Sequence, residues 1–166
     1  MRKSNIDLFK AMLRMQEEYD QKVFEAHELK GYQDIEEKID FALFDEIGEL
    51  NHALKGNWCW WKFTQSPVDQ EEVLSEFADV IHFCLMKILA NPYRYDVNYI
   101  DKTFEAENGT SSIGRGLIDM AGAWICQDPI RIIRSGMKML HIDWAEAFEA
   151  YKQKNAINLE RVRGGY

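Results

Sequence analysis

Four carboxylates in two short pairs carry the chemistry that stands out in this sequence. Glu46-Ile-Gly-Glu49 and Glu76-Phe-Ala-Asp79 each set two acids three residues apart, which on an α-helix puts both on one face. One such pair by itself is usually a patch of solvated surface. Here the neighbours argue for more. Leu43, Ile47, Leu50 and Leu54 run beside the first pair, and Leu74, Phe77, Val80, Ile81 and Cys84 nearly surround the second. A helix that apolar is expected to be largely buried, and buried carboxylates persist when they are paired or coordinate a cation. Basic residues close by in the sequence are few, namely Lys55, Lys62 and Lys87, so a divalent metal is the expected solution. Carboxylates without cysteine or histidine ligands favour Mg²⁺, with Mn²⁺ possible, over zinc. Four of them can hold two ions, which in phosphoryl chemistry clamp the attacking and leaving oxygens. His52 and His82 read as structural or supporting groups rather than ligands.

Further residues have chemistry to offer and a plainer role beside it. Gln16 sits in an apolar stripe, where a buried amide needs partners. It can bond to a neighbouring helix or read the edge of a pyrimidine, since an amide both donates and accepts. Trp58, Trp60 and Trp61 lie between the acidic pairs, either as a hydrophobic plug or packed beside a base, with Lys62 offering its charge to phosphate. Phe83, one turn past Asp79, fits equally the core and a stack on a ring. Lys154, Asn158 and Arg161 fall at i, i+4 and i+7 with Asn155 adjacent, a face suited to phosphate and sugar or to plain solvation.

The elements that must position these residues read as helices. Apolar residues recur at three- and four-residue spacing, strand-like alternation is scarce, and the three prolines sit beside other turn-formers. The first helix is expected to start after Ser4 or Asn5, with Ile6, Phe9, Leu13, Gln16, Asp20 and Val23 on one stripe, and to end by Gly31. Helices follow at about 35–54, stopped by Gly56, and 70–89, stopped by Asn91-Pro92. The segment NWCWWKFTQSPVDQ between them reads as a loop. The stretch 93–111 is polar and ambiguous. Helices are expected at 112–126, at 130–139 and from Asp143 to about Arg163. The expected fold is an all-α helical bundle forming a single domain, 1–166, whose two antiparallel helices carry an ExxE…ExxD metal site.

Composition narrows the function classes. The chain has 166 residues, 46% of them apolar and 29% charged, which are globular values. Its net charge of −8 and lack of a long basic run make it a poor binder of nucleic acid. An acidic protein that takes a nucleotide needs metal ions to bridge the charge. Three cysteines without a CxxC pair argue against a disulfide framework or thiolate zinc. No signal-peptide core or apolar stretch of about 18 residues occurs, so a cytoplasmic protein without membrane contact is expected.

The two acidic motifs, Glu46-x-x-Glu49 and Glu76-x-x-Asp79, resemble the paired motif of the all-α nucleoside triphosphate pyrophosphatases, which include the dimeric dUTPases, the MazG-type enzymes and the dCTP pyrophosphatases. Three features are similar to the dimeric dUTPase branch: Trp58-Cys-Trp60-Trp61-Lys62 between the pairs, Gln16 in the first helix, and the C-terminal segment Lys154-Asn155-x-x-Asn158-x-x-Arg161-x-x-Gly164-Gly165-Tyr166. The resemblance implies Mg²⁺-dependent hydrolysis of dUTP, or of another deoxynucleoside triphosphate, to the monophosphate and diphosphate by a homodimer. It implies metal ligation by Glu46, Glu49, Glu76 and Asp79, with Glu46 or Glu49 as the catalytic base. Substrate contacts fall to Gln16, Trp61, Lys62, Phe83, Lys154, Asn155, Asn158 and Arg161. A dCTP or broad-specificity pyrophosphatase is the alternative within enzymes, and a non-catalytic helical protein that docks a partner through the Trp loop is the alternative outside them.

Overall fold

The computed structural model of the protein describes residues 2–105 and 110–165. Among the described residues it is helical throughout: α1 (Arg2–Ala26), α2 (Glu36–Ala53), α3 (Lys55–Trp58), α4 (Gln70–Ala90), α5 (Val97–Glu105), α6 (Ile113–Ile125), α7 (Pro129–Leu140) and α8 (Trp144–Arg163), with a 3₁₀ turn at Tyr32–Asp34. None of these helices is long and apolar enough to cross a membrane. Residues 106–109, part of the ambiguous stretch, and Tyr166 lie outside the described residues.

α4 is the axis of the fold. Asp69 caps it by accepting from the backbone N–H of Glu71 and Glu72, which satisfies two of the orphan donors of the first turn. It packs most extensively on α2 and also meets α1, α7 and α8. Asp40 meets Lys87, while Glu46 and Glu49 meet Glu76. Partner numbers fall along α4 as they rise along α2, so the two helices are antiparallel. α1 and α8 run parallel, as Phe9 against Trp144 and Gln16 against Tyr151 show. The capping box of Asp143 and Glu146 opens α8, and Asp128 with Pro129 at the first helical position opens α7.

Phe9, Met12, Leu43, Leu50, Phe77, Ile81, Leu85 and Ile133 are fully buried between these helices. One glycine sets how closely α7 approaches α4. A Cβ on Gly136 would lie 2.2 Å from the Phe77 ring, so the bare backbone lets α7 seat directly behind the residue next to Glu76.

Three expectations change. The first helix starts at Arg2 and ends at Ala26, and the chain then turns through Glu28 and Gly31, both at positive φ. Gly56 does not stop a helix; α2 ends at Ala53 and Gly56 lies within α3. A side chain there would meet the Ser66 carbonyl at 2.7 Å, so this glycine serves the close packing of α3 on the following loop. The segment 93–111 contains a helix, α5, docked on α7.

Candidate active site

The acids of α2 and α4 converge at one mouth. Carboxylate oxygens of Glu46, Glu49 and Glu76 lie within 4.8 Å of one another. Asp79 stands one turn further along α4 and takes an ion pair with Lys154 of α8, whose ammonium also donates to Ser75 Oγ at 2.9 Å. The basic residues near in sequence therefore play no part in balancing this cluster. Lys87 pairs with Asp40 on the far stretch of the α2–α4 contact, and Lys55 and Lys62 line a separate hollow. The cations that reach the acids, Lys154 and Arg161, come from the last helix.

Electrostatics record the crowding. Burial, and then the charges of Asp79, Glu49 and Glu76, push the Glu46 carboxyl up to about 7. Burial also raises Glu76 and Asp79, and in both Lys154 opposes the rise. Carboxyls that resist ionisation because of desolvation and like charges are groups that a bound cation would relieve. The donors are all oxygen, which fits a hard divalent ion.

A cleft of about 600 Å³ opens over this cluster, lined by Glu46, Glu49, Glu76, Asp79, Phe83, Lys154, Asn158 and Arg161, together with Tyr19 and Val23 of α1 and His27 just past its end. Beside it lies a hollow of about 280 Å³ with largely aliphatic and aromatic walls. Leu29, Ile35, Ile39, Ala42 and Met86 line it together with Gln16, Tyr19, His82 and Phe83. Tyr19, Val23, Asp79, Phe83 and Asn158 border both spaces, so an acidic, lysine-bearing cleft continues into an apolar pocket. That combination suits a polyphosphate joined to a flat ring.

The sequence-predicted residues divide accordingly. The four carboxylates, Phe83, Lys154, Asn158 and Arg161 come together in the cleft, and Gln16 lines the adjoining hollow. Asn155 is buried and donates to the Tyr151 hydroxyl at 3.4 Å, behind the pocket. Trp61 and Lys62 lie on the loop after α3, away from both spaces: Trp61 packs on Trp58 and Trp60, and Lys62 shares its hollow with His52, Lys55, Thr64 and Ser66. Of the three tryptophans, Trp58 is partly buried and donates to the Asn51 carbonyl, while Trp60 and Trp61 are exposed. As a group they do not form a plug. His82, read as structural, is a buried wall of the hollow. Tyr19 and His27 carried no expectation, although Tyr19 is one helical turn from Gln16, a spacing that points to a shared face.

No curated protein and no solved structure matches this chain. The family model described as dUTPase matches residues 8–166, nearly the whole chain and every residue of the cleft. With an all-helical fold and an acidic cleft running into a ring-sized pocket, the match makes the protein a dUTP diphosphatase, and the chain belongs to the dUTPase family.

Proposed function

We propose that this cleft hydrolyses dUTP to dUMP and diphosphate in a Mg²⁺-dependent reaction, with Mn²⁺ as a workable substitute. The observation that carries this reading is the convergence of the Glu46, Glu49 and Glu76 carboxylates within 4.8 Å at the mouth of a cleft that also holds Asp79, Lys154 and Arg161. These four carboxylates would hold the metal. When bound, it would supply positive charge to offset that of the triphosphate and would lower the pKa of a water. Glu46 or Glu49 takes the proton of the attacking water. The new P–O bond forms at the α-phosphorus as the bond to the β-phosphate oxygen breaks, and diphosphate leaves. Lys154 and Arg161 offset the negative charge that gathers on the leaving group. Phe83 offers its ring face to the base, and Asn158, at the junction of the two spaces, suits the sugar.

The other sequence-predicted residues enter the reading less directly. His52 is one turn beyond Glu49, and Glu72 one turn before Glu76. The hollow they share with Lys55 and Lys62 therefore begins about 5.4 Å along the helices from the acids, a suitable direction for the distal phosphates. Trp61 stands next to Lys62 on that loop. Asn155 acts on the pocket through Tyr151. A homodimer fits the exposed Phe41 and Phe44 of α2 and Ile118 and Ile125 of α6, apolar groups on two helices in contact. A cytoplasmic setting completes the reading.

Purified protein with Mg²⁺ would be given each deoxynucleoside triphosphate in turn and diphosphate release followed. Rapid release from dUTP is expected. Absence of release from any of them would overturn the reading, and a preference for dCTP would reassign the base.

A further inference from the structure

Gln16 has both ends of its amide engaged. Its Nε2 donates to Asp20 Oδ1 at 2.7 Å. Its Oε1 accepts from the Tyr151 hydroxyl at 3.1 Å and lies 2.8 Å from His82 Nδ1. An amide oxygen only accepts, so His82 Nδ1 carries the hydrogen of that bond. The imidazole is neutral, since burial drives its pKa down to about 3 and the Lys154 charge acts in the same direction. A neutral ring protonated at Nδ1 leaves Nε2 with a lone pair. That Nε2 is buried and has no hydrogen-bond partner among the described residues. The side chain is 4% exposed, and its ring is held against Tyr151 at 4.4 Å and Tyr19 at 5.8 Å between centroids. It belongs to the wall of the apolar hollow, next to Phe83.

The direction of the amide depends on Asp20. A carboxylate only accepts, so it requires the NH₂ end of Gln16, and Tyr32 holds its second oxygen with a 2.8 Å hydrogen bond. A reversed amide would set two acceptors against each other at Asp20. It would also aim N–H at His82 Nδ1, moving the ring hydrogen to Nε2 and turning the acceptor into a donor. We infer that Asp20, acting through Gln16, is a positioning residue that fixes His82 Nε2 as an acceptor for a ring N–H, and so selects a uracil, which offers N3–H, over a cytosine, whose N3 is itself an acceptor. The inference rests on the dUTP reading of the cleft and extends it to how the base is told apart.

The test compares kcat/KM for dUTP and dCTP at pH 8, where Asp20, raised by burial to about 7, is ionised. Wild type, Asp20→Asn and His82→Phe would be measured with Mg²⁺. The amide introduced by Asp20→Asn can donate where the carboxylate only accepts, which frees the Gln16 amide to reverse. The ratio of dUTP to dCTP efficiency is expected to fall about tenfold or more in both variants, whereas a merely structural role would lower both substrates together and keep the ratio. A ratio within twofold of wild type in folded variants overturns the inference and leaves the dUTP reading intact. No hydrolysis of dUTP by the wild type overturns both. Nitrogen NMR of the histidines in the wild type needs no variant. A bare His82 Nε2 that shifts on adding dUMP and not dCMP supports the assignment, and an Nε2–H in the free protein overturns it.

Discussion

Glu46 is where burial and like charge meet most directly, and its carboxyl at about 7 ties stability to pH. Asp20, held at about 7 by burial, acts in the same direction. In the unfolded chain both titrate near their ordinary values, so between about 4 and 7 the folded protein keeps protons that the unfolded chain has released. The contribution of these two groups is then full at low pH and falls as pH rises through 7, while buried His82, driven down to about 3, opposes it in part below about 6.5. Metal-free protein in chelator should therefore melt at a lower temperature at pH 8 than at pH 5, as scanning calorimetry would show. Glu46→Gln removes the charged form and should raise metal-free stability at pH 8 by about 1–2 kcal/mol, a figure discounted for the partial exposure of the group. The same variant should lose most of the stabilisation that Mg²⁺ gives the wild type. Activity moves the opposite way. Glu49→Gln and Asp79→Asn should each cut diphosphate release at least about a hundredfold while circular dichroism stays unchanged. Wild-type rates in both would remove the metal site.

Among the helices, two glycines make opposite predictions. Gly136→Ala would drive a methyl into the Phe77 ring at 2.2 Å, and a ring packed at 0% exposure has nowhere to go. A loss of about 3 kcal/mol in urea unfolding is expected. Gly122 of α6 has open space where its Cβ would stand, so Gly122→Ala should gain about 0.5–1 kcal/mol. The same contrast explains what the sequence disclosed. α2, α4 and α8 are legible within a residue or two because their signals are local: an apolar stripe, an Asp at the N-cap of α4 and of α8, a Pro beyond the end of α4 and a Gly beyond the end of α8. α3 and α5 are not. Gly56 reads as a stop, and only its contact with Ser66 and Val68 makes it an interior position. α5 is short and polar and owes its place to α7. The candidate site divides in the same way. Glu46-x-x-Glu49 and Glu76-x-x-Asp79 show in the spacing, and so does Gln16 beside Asp20 one turn on, whereas Lys154 against Asp79 and Gln16 against His82 and Tyr151 depend on which helices become neighbours.

For the molecule as a whole, the net charge of −8 and the acid cluster make a cation part of how this enzyme would carry a polyanion. Mg²⁺ together with a non-hydrolysable dUTP analogue should therefore raise the melting temperature by more than the sum of their separate effects. Sedimentation equilibrium should give twice the chain mass, and Phe41→Glu combined with Ile118→Glu should return the monomer; a monomeric wild type would remove the dimer from the reading. The hollow beside the acidic cleft also has a history in time. Its central hydrogen bond joins Gln16 to Tyr151, 135 residues apart, and α1 lies along α8. Each helix can form on its own within microseconds, but closing so long a loop is a slower and entropically costly step. A refolding chain should regain its helicity well before its first turnover, and half-folded chains, however helical, will be catalytically silent.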